Sequence, residues 1–318
     1  MAGTARLHHY IPQAYLSGFA VERKANEWQT QVKDFVAGKA YPSSTRNICA
    51  ERDFMRVDVE GERIDVVESE MGKFEGQCVG GLRRVVAARK FEGEDANLTL
   101  NLMALLAVRS PERREHLRRI HEQIAKQVMG VVLSNRETWD AQIAGMQANG
   151  GPDASNVTYE DMKAFIDGDQ YTVTVPRERQ MKTEFELMEP VLHELGRRAW
   201  TLYYTDGSVG EFITSNRPVV LSYSNPEVAA KARFGPGFST PDTDVVFPLT
   251  KHALLLGHWG QEGRSEEADQ RLIAALNTHT AAHSDGRVFS HSAEFPYHTP
   301  DVQMHFDASI VDRLRQTL

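Results

Sequence analysis

The feature that most constrains this chain is a change of hydrophobic period partway along it. From Asp65 to about Arg89, the residues Val67, Met71, Phe74, Cys78, Leu82 and Val85 step by three and four, as on a helix with one apolar face. A second run starts at the helix-opening signal Asp95-Ala96-Asn97 and carries Leu98, Leu102, Leu105 and Leu106; Ile120, Ile124, Val128, Val131 and Val132 carry a third. After Arg198 the spacing shortens. Trp200 to Tyr204, Phe212 to Thr214, Val219 to Leu221, Val245 to Phe247 and Ala253 to Leu256 are brief extended runs between turn residues. The pattern predicts an α+β fold with a predominantly helical body, an N-terminal β-ribbon and a C-terminal antiparallel β-meander.

The ribbon is expected from Glu27–Phe35 and Phe54–Val59. Ser110-Pro111 must kink a helix or start a new one. Further helices are expected over Thr158–Ile166, Met181–Arg198, Glu266–His283 and Ala308–Leu314, with strand-like pieces at Tyr171–Val175 and Arg287–Ser290. The run Gln147-Ala148-Asn149-Gly150-Gly151-Pro152-Asp153 is the clearest break, so a single domain over 1–318 with a sub-boundary at 147–157 is the expected organisation. A net charge of -8 disfavours a broadly basic nucleic-acid surface and leaves room for a local phosphate-binding cleft. The basic run from Arg113 to His121 is interleaved with Glu112, Glu115 and Glu122, the pattern of a solvated helix face. The two cysteines, Cys49 and Cys78, lack zinc or disulfide spacing and read as reduced, buried thiols. With no secretory signal pattern and no run long enough to span a bilayer, a cytoplasmic protein without a membrane partner is expected.

Chemistry concentrates at His8-His9-Tyr10-Ile11-Pro12-Gln13-Ala14-Tyr15-Leu16-Ser17-Gly18-Phe19. Pro12 suits a first helical turn, Tyr15, Leu16 and Phe19 share one face, and the two histidines should sit at the mouth of that helix. The stretch also opens a series. HHYIPQAYLSGF, NICAERDF from Asn47, VRSPERR from Val108, FITSNRPV from Phe212 and FPLT from Phe247 stand in the order that resembles the uncharacterised bacterial family catalogued as domain of unknown function 4238, over nearly the whole chain. The family has no established activity, so the resemblance implies candidate positions without roles. Its pattern carries Asp in a TSD-x-P segment; Asn216 stands there in this chain, which disfavours a mechanism needing that carboxylate.

Arg109 falls on the apolar stripe four after Leu105, with Arg113 four further on. A guanidinium there needs a partner: either Glu75 or Glu68 in an ion pair bracing two helices, or a bound anion. Two readings follow. In the first, His8 and His9 converge with Arg109, Glu75 and Asn216 in a cleft, with Arg113, Asn47, Gln13, Thr214, Ser215 and Asn277 contacting substrate. The protein would then be a phosphoester-processing hydrolase, a nuclease being one instance, with His9 as general acid or base. HHxxP resembles the opening of His-metal nuclease motifs, but no Asn-x-x-His follows, so metal-independent cleavage is the expected version. In the second, the same residues form a buried polar network in a non-catalytic binding protein. An anionic small molecule or nucleic acid is the partner either reading accommodates, and no cofactor is expected. His279 and His283, four apart on one helical face, can chelate a divalent metal; residues 280–282 are Thr-Ala-Ala, without a metalloprotease's Glu, and core-edge histidines are the main expectation.

Overall fold

The computed structural model describes residues 7–56, 66–151, 156–169, 171–260 and 262–314. They divide into two compact units: one takes the chain up to Ser110 and from Met181 onward, the other is Pro111–Gln180.

The first unit opens with β1 (Leu7–His9), helix α1 (Gln13–Leu16) continued by a 3-10 turn over Ser17–Phe19, then β2 (Val21–Lys24), β3 (Glu27–Asp34), β4 (Lys39–Ser44) and β5 (Ala50–Arg52). Helices α2 (Val66–Ala88) and α3 (Gly93–Val108) follow and pack together. A methyl group on Gly81 would lie 2.7 Å from Leu98 Cβ, so the close approach of these two helices depends on that glycine.

The second unit is helical, with α4 (Pro111–Val132), α5 (Arg136–Ala148), α6 (Tyr159–Asp167) and the start of α7 (Arg177–Gly196). Asn135 and Thr158 cap α5 and α6 through side-chain oxygens, as such residues should. Arg118 bonds Glu115 and Glu122, and Arg119 bonds Glu115, so the basic run is a self-paired helix surface. Ile120, Ile124, Val128 and Val131 form an exposed apolar stripe on α4. Of the expected 147–157 break, Gln147 and Ala148 still belong to α5, Gly150 turns the chain with φ 71°, and residues 152–155 lie outside the described residues.

Returning to the first unit, the chain forms β6 (Ala199–Tyr204), β7 (Thr214–Ser215), β8 (Val220–Tyr223), α8 (Pro226–Lys231), β9 (Thr243–Thr250), β10 (Ala253–His258), β11 (Arg264–Glu267), α9 (Gln270–Ala282), β12 (Arg287–Ser290), β13 (Phe295–His298), β14 (Met304–Asp307) and α10 (Ile310–Leu314). One sheet has the order β11-β6-β10-β9-β8, antiparallel except where β11 joins β6 in parallel. Another has the order β2-β3-β12-β7, with β4 also on β3. Thus β12 inserts between an early strand and a late one, tying the two ends of the sequence into a single sheet. The main core gathers α1, the inner faces of α2 and α3, and Phe247, Leu249 and Leu255 from β9 and β10; Tyr15 stacks on Phe247 with ring centroids 5.5 Å apart.

The fold is α+β, and several local expectations need correction. β3 does not pair with Phe54–Val59. Residues 53–55 form a turn, 57–59 lie outside the described residues, and the strand of that region, β5, pairs with β1. Tyr171–Val175 forms no strand. The helix expected over Glu266–His283 begins only at Gln270, capped by Asp269, because Arg264–Glu267 hydrogen-bonds along β6. The late strands are not one meander: β7, carrying Thr214 and Ser215, belongs to the sheet of β3 and β12 and not to that of β6, β8, β9 and β10.

Candidate functional site

His8 and His9 lie on a strand rather than at a helix mouth. Pro12, with φ -57° and ψ 135°, is the residue before α1, and β1 pairs with β5 so that His8 faces Glu51 and His9 faces Ala50 across the ladder. Alternation along the strand separates the two side chains: His8 is buried, His9 half-buried. His8 Nδ1 accepts the Met55 N–H at 2.8 Å, so its ring proton sits on Nε2, 3.4 Å from Glu68 Oε2.

Arg109 is the residue that ends α3. It is 2 % exposed, and its Nη2 donates to Glu75 Oε1 at 2.6 Å while Nε donates to the Tyr10 carbonyl at 3.2 Å. The pair braces the end of α3 against α2 and holds the backbone beside His9. A guanidinium engaged in this way is a positioning group; a buried charge with its own carboxylate is costly to separate from it.

His9 differs from its neighbours. The Gln13 amide lies 3.4 Å from its Nδ1, and its Nε2 is withdrawn from solvent with no hydrogen-bond partner among the described residues. Burial, joined by the Arg109 charge, pulls its pKa below the usual 6.5 against the opposing pull of the Thr45 and Arg46 carbonyls and of Glu68. The imidazole is therefore neutral at pH 7.

The remaining expected site residues disperse. Asn216 is buried, donating to the Asp285 carbonyl at 2.8 Å and accepting the Asp285 N–H at 3.1 Å, which clamps the turn before β12. Asn277 on α9 accepts the Ile213 N–H at 3.1 Å and donates to the carbonyls of Glu211 and Pro296, each at 3.0 Å. Ser215 folds onto Arg217, its hydroxyl donating to that carbonyl. Asn47 and Gln13 are exposed, and Arg113 is an exposed residue of α4 in the second unit. His279 and His283 bring their rings to 4.2 Å, with Ser222 3.2 Å from His279 Nε2. Burial and the neighbouring His283 push His279 down to about 4. Among the described residues no group of three or more His, Cys, Asp or Glu is placed to hold a metal ion. Cys49 and Cys78 are buried thiols that form no disulfide, and burial pushes the Cys78 thiol up to about 11, far from a nucleophile at neutral pH.

Sequence spacing missed one further cluster. Lys251 Nζ lies 3.1 Å from both Glu211 Oε1 and His291 Nε2, and His291 Nδ1 lies 3.1 Å from Glu211 Oε2, closing a three-membered ring of charge-assisted bonds. Its only signal in the sequence is position: Glu211 directly precedes FITSNRPV and Lys251 directly follows FPLT.

What the five motifs share is the first of them. Tyr10 N–H donates to the Cys49 carbonyl, and the Tyr10 carbonyl accepts from Arg109. Tyr15 Oη donates to the Pro248 carbonyl at 2.7 Å and lies 2.8 Å from Thr214 Oγ1. Segments far apart in sequence thus meet as direct hydrogen-bond partners of β1 and α1. The fold and this knot define an α+β protein organised on its N-terminal strand and helix. The chain belongs to the family described as "Protein of unknown function (DUF4238)", which matches residues 7–294. No curated protein and no solved structure matches it.

Proposed function

We propose that the chain is a phosphoester-processing hydrolase in which His9 exchanges the proton of the reaction. One observation carries this reading: His9 Nε2 is withdrawn from solvent with no side-chain partner and no well-formed hydrogen bond, the Thr45 and Arg46 carbonyls lying near the ring, which is kept neutral at pH 7. Buried polar atoms are nearly always satisfied, and one that is not invites a ligand or a water. A neutral imidazole at the end of β1 suits general-base removal of a proton from water or a hydroxyl by whichever ring nitrogen carries no proton. Glu68 favours the protonated ring that would form, and Arg109 positions the backbone of Tyr10 beside it. Arg109 itself is not the anion clamp.

A second reading, a binding protein without chemistry, is favoured by a different observation: Asn216, Asn277 and His8 are each satisfied by protein groups. One comparison separates the two. Wild type, His9→Gln and Arg109→Lys are assayed on RNA, single-stranded DNA, nucleotides and simple phosphodiesters, with thermal unfolding recorded alongside. The hydrolase reading expects His9→Gln to melt as wild type and to lose about 10²- to 10⁴-fold in turnover. It also expects kcat/KM of wild type to rise with pH through an apparent pKa below 6.5 and then level, since the base works when deprotonated. A wild type that turns over nothing in the panel leaves the binding protein, and a His9→Gln variant with full activity removes His9 from the reaction.

A further inference from the structure

A cavity of about 290 Å³ opens in the first unit between α1 and its following turn, β3, α2 and the end of β9. We propose that it binds a small carboxylic acid with an aromatic or short acyl body, independently of what His9 does. Two family motifs, HHYIPQAYLSGF and FPLT, supply part of its wall.

The wall is apolar on most sides. Tyr15 contributes only its ring, because its hydroxyl is engaged by Pro248 and Thr214; Trp28 and Leu82 add a second ring and an aliphatic face. The space is enough for a benzoate-sized molecule. Such a lining takes an apolar body, with the few polar groups setting orientation.

Those polar groups decide the charge. Arg83 Nη2 reaches the Ala14 carbonyl and Ser17 Oγ, each at a long 3.3 Å, and among the described residues no carboxylate pairs with this guanidinium. Its neighbour Arg84, by contrast, is paired with Asp95 at 2.7 Å. Ser17 Oγ already donates to the Ala14 carbonyl. Thr250 Oγ1 accepts the His252 N–H at 3.2 Å, and among the described residues no acceptor takes the hydroxyl's own proton. The lining therefore includes a guanidinium with donors to give and a threonine whose hydroxyl has one more. A carboxylate answers both, bidentately on the arginine, whereas an amine would be repelled. Gly18 keeps the space open: a methyl group there would sit 3.1 Å from Thr250 Cγ2.

The test titrates the full chain with benzoate, benzyl alcohol and benzylamine, reading heat by calorimetry and quenching of tryptophan fluorescence. Benzoate is expected to saturate with a Kd of about 1 mM or tighter, benzyl alcohol to bind more weakly, and benzylamine not to bind. Arg83→Gln, an exposed position, should melt as wild type and weaken benzoate about tenfold, with Arg83→Lys between, and Thr250→Val should weaken it in a fold shown intact by its melting curve. The proposal is overturned if benzylamine binds as well as benzoate, if Arg83→Gln leaves the benzoate Kd unchanged, or if benzoate fails to saturate. Hydrolytic activity of the same variants is a separate readout: loss of the His9 reaction would leave benzoate binding intact.

Discussion

Asn277 makes three hydrogen bonds from a fully buried site, and all three go to main-chain groups of other segments. Asn277→Leu removes the amide and strands the Ile213 N–H and two carbonyls, so unfolding free energy should fall by about 3 kcal/mol or more in a denaturant titration. Asn216→Asp restores the residue of the family pattern. A carboxylate still accepts from the Asp285 N–H but has no proton for the Asp285 carbonyl, and the same titration should show a loss of about 1–3 kcal/mol. These residues stand out in the sequence as amides and hydroxyls in apolar company, and that much was legible. Their roles were not, because the partners are backbone atoms of other segments, most of them 60 or more residues away, which no local spacing encodes. Arg109 is the counter-example: Glu75 was nameable as its partner because both positions follow from helical periodicity.

Helices were the legible elements, and strands were not. An apolar stripe repeated over several turns identifies α2 or α3 unaided, whereas β7 is two residues long and β11 is written in Arg, Ser and Glu, its strand state imposed by β6. Register, once known, explains what sequence could not. Ser222 lies opposite Asp244 on the β8–β9 ladder, and Asp244 Oδ1 meets His258 Nδ1 on β10 at 3.0 Å. Helix α9 sets His279 and His283 beside this row, facing Ser222, with the Asp244 charge near enough to favour protonation of His279. With its folded pKa held at about 4 against about 6.5 when unfolded, His279 takes up its proton first in the unfolded chain. Stability from this group is complete above pH 6.5 and declines as pH falls toward 4, by up to about 3 kcal/mol. Replacing it by His279→Gln should flatten the wild-type slope across that window in urea unfolding measured at stepped pH.

At the scale of the molecule, the two units differ in what holds each together. In Pro111–Gln180 the buried apolar side chains among the described residues are Leu133 and Trp139, while the first unit has a continuous core running from Tyr10 to Phe289. Hydrogen exchange under native conditions should therefore find the amides of α4, α5 and α6 opening at lower free energy than those of α2, α3, β9 and β10. The family resemblance was legible at this scale because its motifs are the points where distant segments touch, though only the structure shows that they touch the same short stretch, Tyr10 to Tyr15.

One consequence concerns time. Strand β3 closes its sheet with β12, so a segment ending at Asp34 waits for one that starts at Arg287. A ribosome moving from the N-terminus will have released all of α4, α5 and α6 before the first unit has the strand it needs to finish. Until then the edge of β3 that β12 covers lacks its partner, and Val32 waits for Phe289 opposite it.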